Sequence, residues 1–171
     1  KKKLVRYPAR GPRTYTIPNG VETVCDSAFK DSYVEKVYFP NTVKNMIGDV
    51  FHYCERLKYV KLNEGITSIG SSAFQGCESL SYINIPSTVK DIGLCAINDA
   101  GIRSIEIPEN VFKIDGYSIY NCKYLDAIVF KGKRTEISTD AFRKIDVKTV
   151  YGPKGSTAEK YAEEKGINFV S

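Results

Sequence analysis

A repeat with a period of 22 or 23 residues constrains this chain more than any other feature of its sequence. A small residue followed by a large apolar residue recurs six times along the chain. The pairs are Ala28-Phe29, Val50-Phe51, Ala73-Phe74, Ala96-Ile97, Ser118-Ile119 and Ala141-Phe142, at steps of 22, 23, 23, 22 and 23 residues. A repeat of this period builds a stack of coils, in which each coil buries its apolar side chains against its neighbours.

The spacing within one repeat predicts the shape of a coil. The best-preserved repeat reads Leu80-x-x-Ile83-x-Ile85-Pro86-x-x-Val89-x-x-Ile92-Gly93-x-x-Ala96-Ile97. Ile83 and Ile85 share one face because side chains alternate along a strand, and the proline that follows ends strand pairing. Val89 and Ile92 then point inward from a second extended segment. We expect the small–apolar pair after it to form one helical turn.

The repeat from Leu57 to Ala100 resembles the BspA-type (Treponema-type) leucine-rich repeat, and the resemblance extends over residues 14–151. It implies a β-rich α/β solenoid, a right-handed array of about six coils of 22–23 residues with a capping helix and strand at its C-terminus. The whole chain, 1–171, is predicted to be one domain. Its parts are an N-terminal segment (1–18), the repeats (19–151) and a C-terminal cap (152–171).

The C-terminal cap is also predicted by local signals. Ser156-Thr157-Ala158-Glu159 is a capping box, which opens a helix near residues 156–165. Ala158, Tyr161 and Ala162 form its apolar side, and Gly166 is placed to end it. Residues 167–170 then read as a last strand.

Charge and hydropathy exclude several classes of protein. The first 13 residues carry six positive charges and the whole chain carries +5, so the remainder sums to 5 − 6 = −1. This balance leaves no basic stripe for a phosphate backbone, and we expect no nucleic-acid partner. No apolar run reaches the roughly 20 residues that span a bilayer, and no signal peptide is visible in the sequence.

The sequence gives little support for catalysis. Its single histidine, His52, lies two residues before Cys54, which raises a metal site or a Cys–His pair as a possibility. Two ligands do not make a structural zinc site, and the sequence has no CxxC, P-loop or GxGxxG motif. We therefore predict no enzyme activity, no cofactor and no metal site, with His52 in a turn.

Three of the five cysteines, Cys54, Cys77 and Cys122, occupy the same position of the repeat. Equivalent positions in adjacent coils lie about 4.8 Å apart with parallel side chains, whereas bonded cysteines have Cβ atoms about 3.8 Å apart. We therefore expect buried free thiols here, and we see no evident partner for Cys25 or Cys95.

The first strand of each coil presents an outward face, which is the candidate binding surface. Alignment of the repeats assigns to this concave face Lys36, Tyr38, Tyr59, Lys61, Tyr82 and Asn84. Tyrosines flanked by lysines are typical binding hot spots. The alternative is that these aromatic residues only pack against their cross-strand neighbours. Later coils carry Ser104, Glu106, Ala127 and Val129 at these positions, which predicts an edge to the surface.

The resemblance also implies a function. Proteins of this kind are secreted or displayed on bacterial surfaces, and several act as adhesins. It therefore implies an extracellular or cell-surface, non-catalytic interaction module whose partner is a host matrix protein, another cell-surface protein or a glycan. Two alternatives remain open at this point. The chain could be a spacer that presents another domain of a longer polypeptide, or its tyrosines could form a carbohydrate-binding surface.

Overall fold

The structure, a computed structural model, describes residues 2–171. These residues form fifteen short strands and one helix. In chain order they are β1 Lys2–Leu4, β2 Thr14–Thr16, β3 Val21–Val24, β4 Lys36–Tyr38, β5 Asn45–Met46, β6 Tyr59–Lys61, β7 Ser68–Ile69, β8 Tyr82–Ile83, β9 Asp91–Ile92, β10 Ser104–Ile107, β11 Lys113–Ile114, β12 Ala127–Phe130, β13 Glu136–Ile137, β14 Thr149–Tyr151, α1 Thr157–Lys165 and β15 Asn168–Val170.

The first strands of successive coils stack in parallel and confirm the predicted solenoid. They form two four-stranded sheets, β2-β4-β6-β8 and β10-β12-β14-β15. Their register follows the repeat, so that Val37 pairs with Val60 and Val60 with Ile83. The stack has about eight turns, because β14 and β15 add two coils to the six that begin with β2, β4, β6, β8, β10 and β12.

The second extended segments form two more parallel sheets, β1-β3-β5 and β7-β9-β11-β13. Five of these seven strands have only two residues, and in β7, β9 and β11 one of the two is a buried isoleucine. Gly93 follows β9 where the coils approach closely. A Cβ atom there would lie 3.0 Å from the backbone nitrogen of Ser71, so a larger residue would push the coils apart.

The predicted helical turn at the small–apolar pair is wrong. The N–H of Phe51 donates to the carbonyl of Ala73 in the next coil at 2.8 Å, and Phe74 donates to Ala96 in the same way. Residues with positive φ bracket the segment, as at Ser27 (φ 54°) and Asp31 (φ 57°). A left-handed residue interrupts the helical hydrogen-bond series, so the segment becomes a third ladder between coils.

The core is a continuous column of apolar side chains along the stack. Phe29, Phe51 and Phe74 are fully buried. Their rings stack with centroids 4.7 Å apart between the first two and 5.2 Å between the last two. These three coils therefore bury the same aromatic residue against one another, as expected for a solenoid, and Ile97 and Ile119 continue the buried column in the next two.

The C-terminal end is closed by α1 and β15, which confirms the predicted cap. The Ser156 hydroxyl accepts a hydrogen bond from the Glu159 N–H at 3.2 Å, and Gly166 ends the helix with φ 66°. The buried residues of α1 are Ala158, Tyr161 and Ala162. The Glu159 carboxylate accepts from the N–H of Gly155 rather than from that of Ser156, which shifts the capping box by one residue.

Candidate functional site: an outward tyrosine–lysine face

The tyrosine–lysine face consists of Lys36, Tyr38, Tyr59, Lys61 and Tyr82, with Asn84 at its edge. Lys36 pairs in register with Tyr59, and Tyr59 with Tyr82, while Tyr38 pairs with Lys61. The residues between them, such as Val37 and Val60, are fully buried. Since side chains alternate along a strand, the five residues of β4, β6 and β8 project outward together.

The three tyrosines form one stack across adjacent coils. The Tyr59 and Tyr82 rings lie 4.8 Å apart and nearly parallel, at 11°. Tyr38 lies across the strand with its ring centroid 5.6 Å from that of Tyr59. Tyr82 is 48% exposed, whereas the other two are half-buried. Burial raises the pKa of Tyr59, and Tyr82 and Tyr38 add to the shift. The stack is a continuous aromatic surface across three coils.

The two lysines give this face a positive charge. Lys36 and Lys61 are exposed, and within residues 2–171 neither has a carboxylate within 4.0 Å. The nearest acidic residue along β4 is Glu35, which already pairs with Lys58 at 3.0 Å and Arg13 at 3.1 Å. The hydrogen bond from Lys58 and the nearby Arg13 lower the pKa of Glu35. Its charge is therefore neutralised locally.

Asn84 has a different role from the other five residues. Its Oδ1 accepts from the N–H of Leu62 at 2.8 Å, and its Nδ2 donates to the carbonyl of Leu62 at 3.0 Å. The side-chain amide thus replaces strand pairing where β8 ends at Ile83. The sequence predicts Asn84 in the binding face with the tyrosines. In the structure both polar atoms of its amide are hydrogen-bonded to the backbone of Leu62.

The face ends at β8, as the change of residue types predicts. The next first strand, β10, belongs to the other sheet. Its outward residues are Ser104 and Glu106, and Glu106 pairs with Lys131 at 3.2 Å. Ala127 and Val129 continue these columns on β12. The outward residues of β10 and β12 thus interrupt the aromatic and basic columns, and the next outward tyrosine, Tyr151, lies on β14.

His52 and Cys54 contact different groups. The His52 side chain is 16% exposed, with its Nδ1 3.8 Å from the Asp49 carboxylate and its ring against Tyr53. The Cys54 thiol instead donates to the carbonyl of Phe29 at 2.9 Å. Burial raises the pKa of Cys54 to about 11, so the nucleophilic thiolate is not available at neutral pH. Among residues 2–171, no group of three or more His, Cys, Asp or Glu side chains could hold a metal ion.

The three aligned cysteines are buried, and they also make a contact that the sequence did not reveal. Cys54, Cys77 and Cys122 each donate to a carbonyl of the preceding coil, at 2.9, 3.1 and 3.0 Å. All five cysteines of the chain are free thiols in the structure. Burial raises the pKa of Cys122 to about 12 and that of Cys77 well above its usual value. These thiols are neutral hydrogen-bond donors between coils.

The repeats decide the family of the chain. The sequence model of the BspA type leucine-rich repeat region matches residues 12–62 and 45–162, with six copies. The chain belongs to this family. As a BspA-type repeat array, it presents the extended surface that solenoid proteins use to bind other proteins. A comparison with curated proteins gave no match.

Solved structures of bacterial leucine-rich repeat proteins share the fold. A leucine-rich cell surface protein from Faecalibacterium prausnitzii is 32% identical, with a TM-score of 0.71 over 77% of this chain and 36% of that one. The pneumococcal vaccine antigen PcpA is 19% identical, with a TM-score of 0.83 over 99% of this chain and 44% of that one. The Treponema pallidum protein TpLRR is 18% identical, with a TM-score of 0.72 over 98% and 89%.

This repeat array therefore spans less than half the length of two of these three proteins. In residues 2–171, no helix has the length and apolar character needed to cross a membrane.

Proposed function

We propose that this BspA-type array is a non-catalytic adhesion module that binds a protein partner through the tyrosine–lysine face. The stack of Tyr38, Tyr59 and Tyr82 is the observation that carries the proposal. Tyrosines offer large rigid contact area at a low cost in side-chain entropy, and they recur at the centre of protein interfaces. The flanking Lys36 and Lys61 favour a partner that is acidic where it meets them.

The partner that fits this proposal is an extracellular one, either a matrix protein or a protein of another cell. Two relatives support surface display, since one is described as a cell surface protein and the other as a vaccine antigen. We infer that the full polypeptide is secreted or displayed on a bacterial surface. A glycan is the second candidate ligand, because stacked tyrosine rings also suit the apolar faces of sugars.

The experiment is a binding screen of the purified domain against immobilised extracellular-matrix proteins and a glycan array. Any partner found is then titrated with the double variant Tyr59→Ala/Tyr82→Ala. We expect its affinity to fall by about tenfold or more, the loss typical of truncated aromatic hot spots. Tyr124→Ala is the matched control, since Tyr124 is also exposed but lies outside the face.

Two outcomes contradict the proposal. One is a partner whose affinity for the double variant equals that for the native domain, which would place binding elsewhere. The other is binding to glycans alone with the same loss in the double variant, which would assign the face to carbohydrate.

A further inference from the structure

A second candidate site lies where one coil departs from the repeat. The corner between the first and second strands begins with proline at positions 18, 40, 86 and 108, and with Asn63 in a corner of the same length after β6. There the N–H three residues later donates back to the proline carbonyl, as from Val89 to Pro86 and from Val111 to Pro108, both at 3.1 Å. After β12 this corner instead reads Lys131-Gly132-Lys133-Arg134.

The departure lengthens the corner by one residue and turns its cations outward. In the preceding coil the inward residue is Val111, three residues after Pro108. In this coil the corresponding inward residue is Thr135, four residues after Lys131. The Thr135 hydroxyl donates to the Val111 carbonyl at 2.9 Å. Gly132 is buried against the previous corner, where a Cβ atom would lie 2.7 Å from the Glu109 carbonyl oxygen. Lys131, Lys133 and Arg134 are exposed around it.

These cations line a surface cavity of about 390 Å³. Phe112 and Pro153 give it an apolar side, and Glu109 is its one acidic lining residue. Lys131 already pairs with Glu106 at 3.2 Å, so Lys133 and Arg134 against the single carboxylate of Glu109 leave the cavity positive. Its volume lies within the ~300–1,000 Å³ of ligand sites.

Phe112 is the second unusual feature of this cavity. It is 58% exposed although it is large and apolar, and the Lys90 ammonium lies 5.0 Å from its ring centroid. The inward neighbours Val111 and Ile114 are almost fully buried, so the core does not require Phe112. Ligand pockets combine apolar and aromatic lining with a few polar groups, as Phe112 and the cations do here.

We propose that this basic corner (Phe112, Lys131, Lys133 and Arg134) binds an acidic peptide segment of a protein partner, one that carries a large apolar side chain beside its carboxylates. The guanidinium of Arg134 suits bidentate contact with a carboxylate, and the apolar side chain packs on Phe112. A uniform polyanion would use the cations but would gain nothing from the phenylalanine. The basic corner lies in the C-terminal half of the stack, so it is independent of the tyrosine–lysine face.

The test uses the whole domain and a fluorescein-labelled peptide in which one phenylalanine is flanked by two acidic residues on each side. Fluorescence anisotropy should show saturable binding below ~1 mM. Lys133→Gln/Arg134→Gln should weaken binding by about tenfold or more, because charge-assisted hydrogen bonds are lost. Lys44→Gln/Lys160→Gln removes the same charge from two exposed positions outside both proposed sites and should leave affinity within about twofold.

The aromatic contact has its own pair of variants. Phe112→Ala should bind this peptide only as tightly as the native domain binds a second peptide, in which alanine replaces the phenylalanine. Tyr124→Ala, which truncates a side chain of equal exposure (58%), should not. Thermal unfolding of every variant checks that it is folded, and Arg134→Gln alone replaces the double variant if the latter is not.

The proposal is overturned if the peptide fails to bind at ~1 mM, or if the phenylalanine and alanine peptides bind equally well. Two further arms test other anions, a sulfated heparin oligosaccharide and vesicles with anionic phospholipid. Tighter binding of either one, lost in Lys133→Gln/Arg134→Gln, would assign the corner to that ligand and also overturn the proposal.

Discussion

The two sheets formed by the first strands have the same kind of inward residue, β-branched and apolar, but different outward residues. In β4, β6 and β8 the inward residues are Val37, Val60 and Ile83, and in β10 and β12 they include Ile105 and Ile128. Outward, the N-terminal half carries stacked tyrosines and unpaired lysines. In the C-terminal half, β10 and β12 carry small, apolar or ion-paired residues on longer strands, and an outward tyrosine returns only at Tyr151 on β14.

This contrast separates what maintains the fold from what is free to vary. The inward residues repeat because the side chains of each coil pack against those of the next coil. In a close-packed core, any change in side-chain volume disturbs this packing. Outward columns contact solvent, so each half can carry its own chemistry. The account predicts large effects for inward substitutions and small effects on stability for outward ones.

The largest expected effect is that of Phe51→Ala. Phe51 is fully buried between Phe29 and Phe74, so truncation leaves a cavity in the aromatic column. We expect the free energy of unfolding to fall by about 3–5 kcal/mol, measured by urea denaturation. Phe112→Ala, at an exposed position, should change it by less than about 0.5 kcal/mol. Similar losses in the two variants would contradict the distinction between inward and outward residues.

The buried thiols predict a loss of stability at alkaline pH. Burial raises the pKa of Cys54 from 9.0 to about 11 in the folded protein. The unfolded chain therefore loses its thiol proton first. Below pH 9 the contribution of a buried thiol to the free energy of unfolding is fully present. Between pH 9 and 11 this contribution falls by about 1.4 kcal/mol per pH unit for each such thiol. Cys54→Ser keeps the donor without this titration and should show a shallower fall in urea unfolding. An unchanged slope would argue against a buried neutral thiol.

Substitutions of Asn84 test whether its amide stabilises the end of β8, where the first sheet stops. Asn84→Ala leaves the N–H and carbonyl of Leu62 without their partners, and we expect a loss of about 1–3 kcal/mol in the free energy of unfolding. Asn84→Asp keeps the acceptor but not the donor, so its loss should come from the Leu62 carbonyl alone. If Asn84→Ala is as stable as the native domain, the amide has no structural role and Asn84 belongs with the binding face.

Glu35→Gln should have the smallest effect. The Glu35 side chain is partly buried, but its partners Lys58 and Arg13 are exposed, so water and salt screen the two ion pairs. Since these cations lower the pKa of Glu35, its contribution is present at neutral pH and disappears as the pH falls through that lowered pKa. Thermal unfolding of native and variant domains should therefore differ slightly at pH 7 and converge in acid. A difference that persists in acid would need another cause.

Much of the fold could be predicted because repetition makes every signal appear six times. The inward columns, the cap at Ser156 and the outward position of the tyrosines all follow from spacing. The helical turn was predicted wrongly, because spacing does not reveal the positive φ of residues such as Asp31. The role of Asn84 depends on a contact with another coil, which no local pattern contains. For the basic corner, the only signal was Lys131 in place of proline.

The most direct test of the central claim replaces the whole tyrosine–lysine face at once. Threonine is the natural choice, since Thr14 and Thr16 stand in the same two columns on β2. A variant with Lys36, Tyr38, Tyr59, Lys61 and Tyr82 all changed to threonine is compared with Phe51→Ala by thermal unfolding. The account predicts one cooperative transition, with a Tm higher than that of Phe51→Ala although five residues have changed. A lower Tm, or loss of the transition, would show that the outward face maintains the fold and would contradict the account.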